Sequence, residues 1–334
     1  MITLIENFVS RWDGHSYLFL AQNGYVTSGD NKYFIVFPPL YPSLIRLLNF
    51  VVNNFAISAF LISLTCFITG LFVFYKLLKL DFPKSKSIWI AICLLIFPSS
   101  YFFLTAYPES LFFLLISLTL YFARIGKFRN SAIFAALATL TRPFGILIWI
   151  SLLIEWFLNK KRNYLDLILI FCLAAFSGIL YLSLNYSLFG NSFAFEIFLK
   201  THWQKSFSFP WVGIINSWQR GITTPNSNSE YKYIVGFMEA IASTIPYLFI
   251  LINILFKKFR MRSSYLIYFI LGTLLMTSTS FLLSTPRYLL SLPPFFITLG
   301  TLTNNKILKI IWGIISLSLL IYFAHLYILG HWVF

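Results

Sequence analysis

Apolar runs of bilayer length alternate along this chain with short clusters of lysine and arginine, and that alternation restricts the folds open to it. A helix needs about 20 apolar residues to cross a membrane. Runs of that order lie at about 54–79, 87–105, 108–124, 163–187, 232–256, 263–284, 286–303 and 309–328. Five basic clusters fall between them: Lys76/Lys79/Lys84/Lys86, Arg124/Lys127/Arg129, Lys160/Lys161/Arg162, Lys257/Lys258/Arg260/Arg262 and Lys306/Lys309. Cytoplasmic loops of membrane proteins carry an excess of such residues. The runs are ordered so that nearly all five clusters can share one side. Only 10% of the residues are charged, against about 25% in soluble domains. The expected fold is an all-α polytopic membrane protein, a single domain over residues 1–334 with about eight full spans.

The net charge of +15 does not redirect this reading. Its basic residues form no single face or stripe, so nucleic acid is excluded as a partner. Cys66, Cys93 and Cys172 lie inside apolar runs without metal-ligand spacing, which makes them small buried hydrophobes. Residues 1–10 lack an apolar core, so no cleavable signal peptide is expected.

One run interrupts the alternation. Residues 131–158 have basic clusters at both ends and are broken by Thr141-Arg142-Pro143-Phe144-Gly145. Proline breaks the helix ladder and disfavours helix at the residue before it. Two pieces of about 12–14 residues reach only roughly 20 Å each. A hairpin of two short helices is therefore expected at 131–158, its Arg-Pro tip pointing outward and shielded by protein.

With the basic clusters inside, the outer side collects residues 11–43, the turn at Ala106-Tyr107-Pro108, the Arg142 tip, residues 188–231 and Arg287. The domain then divides into a first outer loop (11–43), spans at 54–187 including the hairpin, a long outer loop (188–231) and C-terminal spans at 232–328. Phe193, Phe195, Ile197, Phe198 and Trp203, set among Lys200 and Lys205, suit a helix lying in the interface. Of the 10 acidic residues, Glu6, Asp13, Asp30, Glu109, Glu196, Glu230 and Glu239 fall on or near this outer side.

Several outer residues carry chemistry. Asp13, in Trp12-Asp13-Gly14, can serve as a general base for transfer to a hydroxyl, with Trp12 and Tyr17 desolvating it. It can equally cap the helical-looking run Ser16–Gln22. His15 suits a surface or capping role, or contact with phosphate. Asp13 and His15 alone are too few ligands to define a metal site, so the sequence fixes no cofactor and leaves a divalent metal open. Glu109, in Tyr107-Pro108-Glu109-Ser110, is a second candidate acid, although Pro and Glu are also what a first helical turn favours. Arg142 and Arg287 stand beside prolines at outward helix breaks. Charges at the hydrocarbon boundary tend to be functional, and a guanidinium fits phosphate bidentately. His202 and Trp203 fit interfacial anchoring or substrate contact.

Taken in order, these pieces resemble the GPI second-mannose transferase family (PIG-V) and its prokaryotic relatives in the GT-C superfamily. The matching stretches are Arg11-Trp12-Asp13-Gly14, Tyr17, Ala21, Gly24-Tyr25, Phe37-Pro38-Pro39-Leu40-Tyr41-Pro42 with Arg46, and Ala106-Tyr107-Pro108-Glu109-Ser110-Leu111. They continue with Ala136-Leu137-Ala138-Thr139-Leu140-Thr141-Arg142-Pro143, Phe189-Gly190-Asn191-Ser192 through Trp203, and Pro286-Arg287-Tyr288. The resemblance implies a GT-C-like bundle with a non-cytoplasmic loop face. It implies an inverting glycosyltransferase moving a sugar, typically mannose, from a polyprenyl-phosphate donor to a glycan, lipid or protein acceptor.

In that frame Asp13 matches the expected base, and Glu109 falls in a motif of the same kind. Arg142, Arg287 and His15 would meet the donor phosphate, while Trp12, Tyr17, Tyr107, His202, Trp203 and Tyr288 would contact substrate. The membrane would be the bacterial or archaeal cytoplasmic membrane, or the endoplasmic reticulum of a eukaryote, with the site non-cytoplasmic. Two departures stand out. Relatives usually carry a membrane helix ahead of the Trp-Asp loop, where ten residues precede it here, and they more often read Phe-Phe-Pro-Leu without the doubled proline at Pro39. The rival class is a lipid or glycolipid transporter; such proteins often show internal symmetry, and this chain has no visible repeat.

Overall fold

The computed structural model describes residues 2–334. Its regular structure among those residues is helical, apart from one isolated antiparallel bridge between Phe207 and Thr279. Among the described residues four helices are long and apolar enough to cross a membrane: Phe55–Leu78, Tyr164–Phe189, Tyr231–Leu255 and Lys306–Leu329. A fifth crossing arises if the bent pair Asp30–Val36 and Leu40–Val52 counts as one. Tyr164–Phe189 and Lys306–Leu329 are apolar all round yet only 11% buried over their most hydrophobic windows. Phe171, Phe176, Ile179, Ile314 and Ile321 stand bare on them. A contiguous apolar surface of that kind marks contact with lipid or another protein.

The other four runs expected as spans are shorter or interrupted. Run 108–124 is the 16-residue helix Glu109–Arg124, about 24 Å long at 1.5 Å per residue. Run 87–105 stops as an α-helix at Leu95, before Pro98, and resumes as a 3-10 turn at Ser100–Leu104. Run 263–284 is helical only over Ser263–Thr277, giving way to Ser278-Thr279-Ser280. Run 286–303 is broken before Pro293-Pro294, where two prolines remove two backbone donors. Hydropathy reads these runs as continuous because it ignores backbone donors.

Contacts group the chain into two compact units, Met1–Leu80 with Phe102–Trp203, and Asp81–Tyr101 with Gln204–Phe334. In the first, Phe55–Leu78 packs on Glu109–Arg124, which packs on Phe128–Thr139, which in turn packs on Tyr164–Phe189. Aromatic rings fill the joint: Phe67 stacks on Phe103 at 4.5 Å and Phe74 meets Phe113 edge-on at 5.5 Å. The 131–158 region forms two short helices, Phe128–Thr139 and Ile148–Leu158, either side of a break at Arg142. Trp149 Nε1 donates to Thr139 Oγ1 at 3.0 Å and staples the two arms.

In the second unit, Lys84–Leu95 packs on Pro293–Leu302, and Glu239–Leu255 on Ser263–Thr277. Phe295 sits at the centre, with Phe97, Phe249 and Phe296 within 5.8 Å. Trp89 Nε1 and Asn253 Nδ2 donate to Thr303 and Thr298 hydroxyls, so these two buried donors are satisfied inside the packing. The 188–231 stretch is more ordered than a loop. It holds the helices Ala194–Thr201 and Pro210–Thr223, the first leaving Phe193 and Ile197 about half exposed, as an interfacial helix would.

Candidate active site

Asp13 is the first residue of the helix Asp13–Asn23, and Trp12, not Asp13, holds the N-cap position. The carboxylate therefore lies in the first turn, where the helix dipole favours negative charge. Trp12 sits at φ 51°, a backbone region costly for a bulky residue. What holds it there is the crossing of two segments. A Cβ on Gly14 would lie 2.2 Å from the Val9 carbonyl oxygen, so only glycine permits this approach. Ala106 N–H donates to that same Val9 oxygen at 3.3 Å. Tyr107 Oη donates to the Arg11 carbonyl at 3.1 Å. The Ala106–Glu109 turn is thus docked on the segment that presents Asp13.

That turn leads directly into a buried ion pair. Arg142 Nη1 lies 2.6 Å from Glu109 Oε1, with the side chains 8% and 1% exposed. Phe112 and Phe144 flank the guanidinium at about 6 Å. In the first unit, then, the Trp12-Asp13 loop, the Tyr107–Glu109 turn and the Arg142 tip form one continuous patch.

The other residues of this unit divide by burial. Trp12 and His15 are exposed and Asp13 is half-buried, so all three can meet a ligand. Tyr17 and Tyr107 lie in the interior, the Tyr17 ring packed with Tyr107, Tyr41 and Phe37 and supporting the loop from beneath. His202 stacks on Tyr33 at 4.1 Å, and Trp203 meets Phe37 edge-on at 5.9 Å. These contacts bring the end of the Ala194–Thr201 helix onto the 30–37 segment. Tyr25 holds the same segment by donating to the Phe37 carbonyl at 2.6 Å. Burial, then the neighbouring Tyr181, raises the Tyr25 phenol well above its ordinary range, so it remains a donor.

Arg287 belongs to the second unit, on the short turn Thr285–Tyr288. Ser284, at φ 71°, starts the turn in the left-handed region. A carboxylate buried to 1% exposure secures it: Glu239 Oε1 accepts from Ser284 N–H at 2.7 Å and Oε2 from Thr285 N–H at 2.9 Å. Ser99 Oγ donates to the Pro286 carbonyl at 2.8 Å. Tyr288 is half-buried, its hydroxyl accepting from Lys205 Nζ at 2.8 Å. Among the described residues no three His, Cys, Asp or Glu side chains gather where they could hold a metal ion.

The sequence reading singled out Glu109 and Arg142 separately and missed that they pair. It missed Glu239 as the support of the Arg287 turn and Lys205 as the partner of Tyr288. An acid within the apolar run 232–256 was the available signal for Glu239, since a charge placed there needs a partner. Nothing local marks the other two contacts.

The fold has solved counterparts. ArnT from Cupriavidus metallidurans, in its crystal structure bound to undecaprenyl phosphate, matches with a TM-score of 0.52 and 16% identity. That match covers 90% of this chain and 58% of ArnT. The same protein in its apo state matches at 0.52 and 14%, covering 89% and 54%. The chain thus spans a little over half the length of ArnT. No family model and no curated protein matches it. The likeness, at this identity, is one of fold: this chain is an all-helical integral membrane protein that shares the ArnT fold over most of its length.

Proposed function

We propose that this protein is an inverting membrane glycosyltransferase that moves a sugar, mannose in our reading, from a polyprenyl-phosphate carrier to an acceptor hydroxyl on the non-cytoplasmic side, within a bundle of about eight crossings. The single observation that carries the proposal is the fold likeness to ArnT, whose crystal structure holds undecaprenyl phosphate. Folds host many chemistries, so the residues must carry the rest. Asp13 takes the proton from the acceptor oxygen as that oxygen attacks the anomeric carbon. The bond from that carbon to the phosphate oxygen breaks on the opposite face, and polyprenyl phosphate leaves.

Charge grows on the leaving phosphate, and fixed cations at a site of low dielectric stabilise it most. In the second unit we assign that task to Arg287; in the first, His15 and Trp12 are exposed contacts beside Asp13. Glu109, sealed in its bond to Arg142, is assigned to holding that arginine and the Tyr107 turn in place. Proton transfer is left to Asp13, because a general base must reach the proton it abstracts.

The decisive experiment incubates purified protein with radiolabelled polyprenyl-phosphate-mannose and a panel of other lipid-linked sugars, and measures transfer to acceptor. Absence of transfer with every donor, accompanied by movement of the lipid between leaflets of a vesicle, would replace this reading with a transporter. Arg287→Ala should raise the donor concentration needed for half-maximal rate about tenfold or more, the effect of losing roughly 1.4 kcal/mol of binding. An unchanged dependence on donor concentration would remove Arg287 from the phosphate site.

A further inference from the structure

Two cations face one tyrosine ring in the second unit. Lys205 Nζ lies 4.9 Å from the centroid of Tyr288, and the Arg287 guanidinium carbon 5.4 Å from it. Both charges are drawn out of water: Arg287 is 6% exposed and Lys205 half-buried. Each holds its place through its backbone. The segment bearing Lys205 is bridged to 278–280, with Ser208 N–H donating to the Ser278 carbonyl at 3.1 Å and Ser280 N–H to the Ser206 carbonyl at 3.4 Å. Asn216 Nδ2 donates to the Ser280 carbonyl at 2.9 Å, and Arg220 Nη2 to the Leu282 carbonyl at 3.3 Å.

The next residues are clamped by Glu239, both of whose oxygens accept backbone N–H groups of Ser284 and Thr285. The Pro210–Thr223 helix closes on the Glu239 side through Gly221 and Gly236, packed so tightly that a Cβ on Gly236 would lie 2.6 Å from Gly221. Chain segments far apart in sequence thus fix two like charges against one ring.

Holding two cations together at a membrane boundary is costly unless an anion offsets them. The carboxylate of Glu239 offsets part of the Lys205 charge, while both its oxygens accept from the main chain. Tyr288 accepts only one of the three N–H bonds an ammonium can make, so Lys205 keeps capacity for a ligand oxygen. We infer that Lys205 and Arg287 form a two-cation seat for the phosphate of a prenyl phosphate, with Tyr288 setting the spacing between them. This rests on the glycosyltransferase reading for the identity of the lipid; the seat itself is read from the cluster. Lys205 supplies a compact charge and Arg287 a planar fork, a pairing that can hold different oxygens of one phosphate.

The test is equilibrium binding to the full-length protein in detergent, with undecaprenyl phosphate, undecaprenol and phosphatidylglycerol as ligands. K205A should weaken undecaprenyl phosphate about tenfold or more and leave undecaprenol unchanged, while Lys205→Arg stays within about threefold of the natural protein. Tyr288→Phe, which frees the ammonium from its anchor, should weaken it about threefold. Wild-type affinity in K205A overturns the seat, as does failure of the unaltered protein to bind undecaprenyl phosphate. Equal, Lys205-dependent binding of phosphatidylglycerol overturns its preference for prenyl phosphate. Lys205-dependent binding without sugar transfer supports the seat and removes the enzyme reading alone. Transfer with unaltered binding in K205A does the reverse.

Discussion

Asp13→Asn should lower sugar transfer by about 10³-fold or more while the protein inserts, purifies and melts like the natural one. General bases contribute roughly 10²–10⁴-fold, and an amide of the same shape cannot accept the proton. The substitution is close to isosteric on a half-buried residue in the first turn of an exposed-ended helix. Losing the charge removes a dipole interaction of about 0.3–1 kcal/mol. Asp13→Glu separates placement from chemistry. It retains the carboxylate but moves it by about a methylene, and a 1 Å misplacement can cost about 10²-fold. Donor binding should survive both changes, because no cation is removed. The measurement is single-turnover transfer alongside donor binding. Turnover in Asp13→Asn within tenfold of the natural protein would reject Asp13 as the base.

The Asp13 segment stands out in the sequence because its signal is local: an aspartate, an aromatic and a glycine at the head of an apolar chain. The geometric reason for Gly14, the Val9 oxygen pressed against it, follows once the loop is seen to cross the 106–109 turn. The long spans were legible for a similar reason. Phe55–Leu78, Tyr164–Phe189 and Lys306–Leu329 match their apolar runs to within a few residues, since lipid contact imposes composition on every turn.

Composition fails where a helix is buried in protein and its backbone breaks. Pro98, the Ser278–Ser280 stretch and Pro293-Pro294 interrupt runs that hydropathy reads as continuous, and near these breaks the Ile96, Ser278 and Ser291 carbonyls accept from Ser316 Oγ, Ser208 N–H and Tyr268 Oη. Partnership is harder still to read. Glu239 finds Ser284 and Thr285 across 45 and 46 residues, and no periodicity encodes such a meeting. Charged residues in apolar runs could be picked out as important; which of them would touch could not.

Glu109→Ala should destabilise the protein by about 3–5 kcal/mol, the usual cost of stranding a buried charge by deleting its partner. The 2.6 Å bond to Arg142 and the burial of both side chains place the pair in that regime; exposed ion pairs contribute about 0–1 kcal/mol. At about 2–4 °C per kcal/mol for chains somewhat shorter than this one, the melting temperature in detergent should fall on the order of 10 °C. Glu109→Gln keeps an acceptor oxygen for the guanidinium and should fall by less.

Glu109→Leu combined with Arg142→Met removes both charges and should recover most of the loss, because apolar replacements of buried pairs are often neutral or stabilising. Comparing the three variants separates support from catalysis. If Glu109 only holds Arg142, residual transfer in Glu109→Gln tracks its stability, and assays well below its melting temperature show near-natural rates. If Glu109 handles a proton, Glu109→Gln is inactive at every temperature despite melting almost normally. Glu109→Ala melting at the natural temperature would contradict the buried pair itself, and with it the docking of the Tyr107 turn under Asp13.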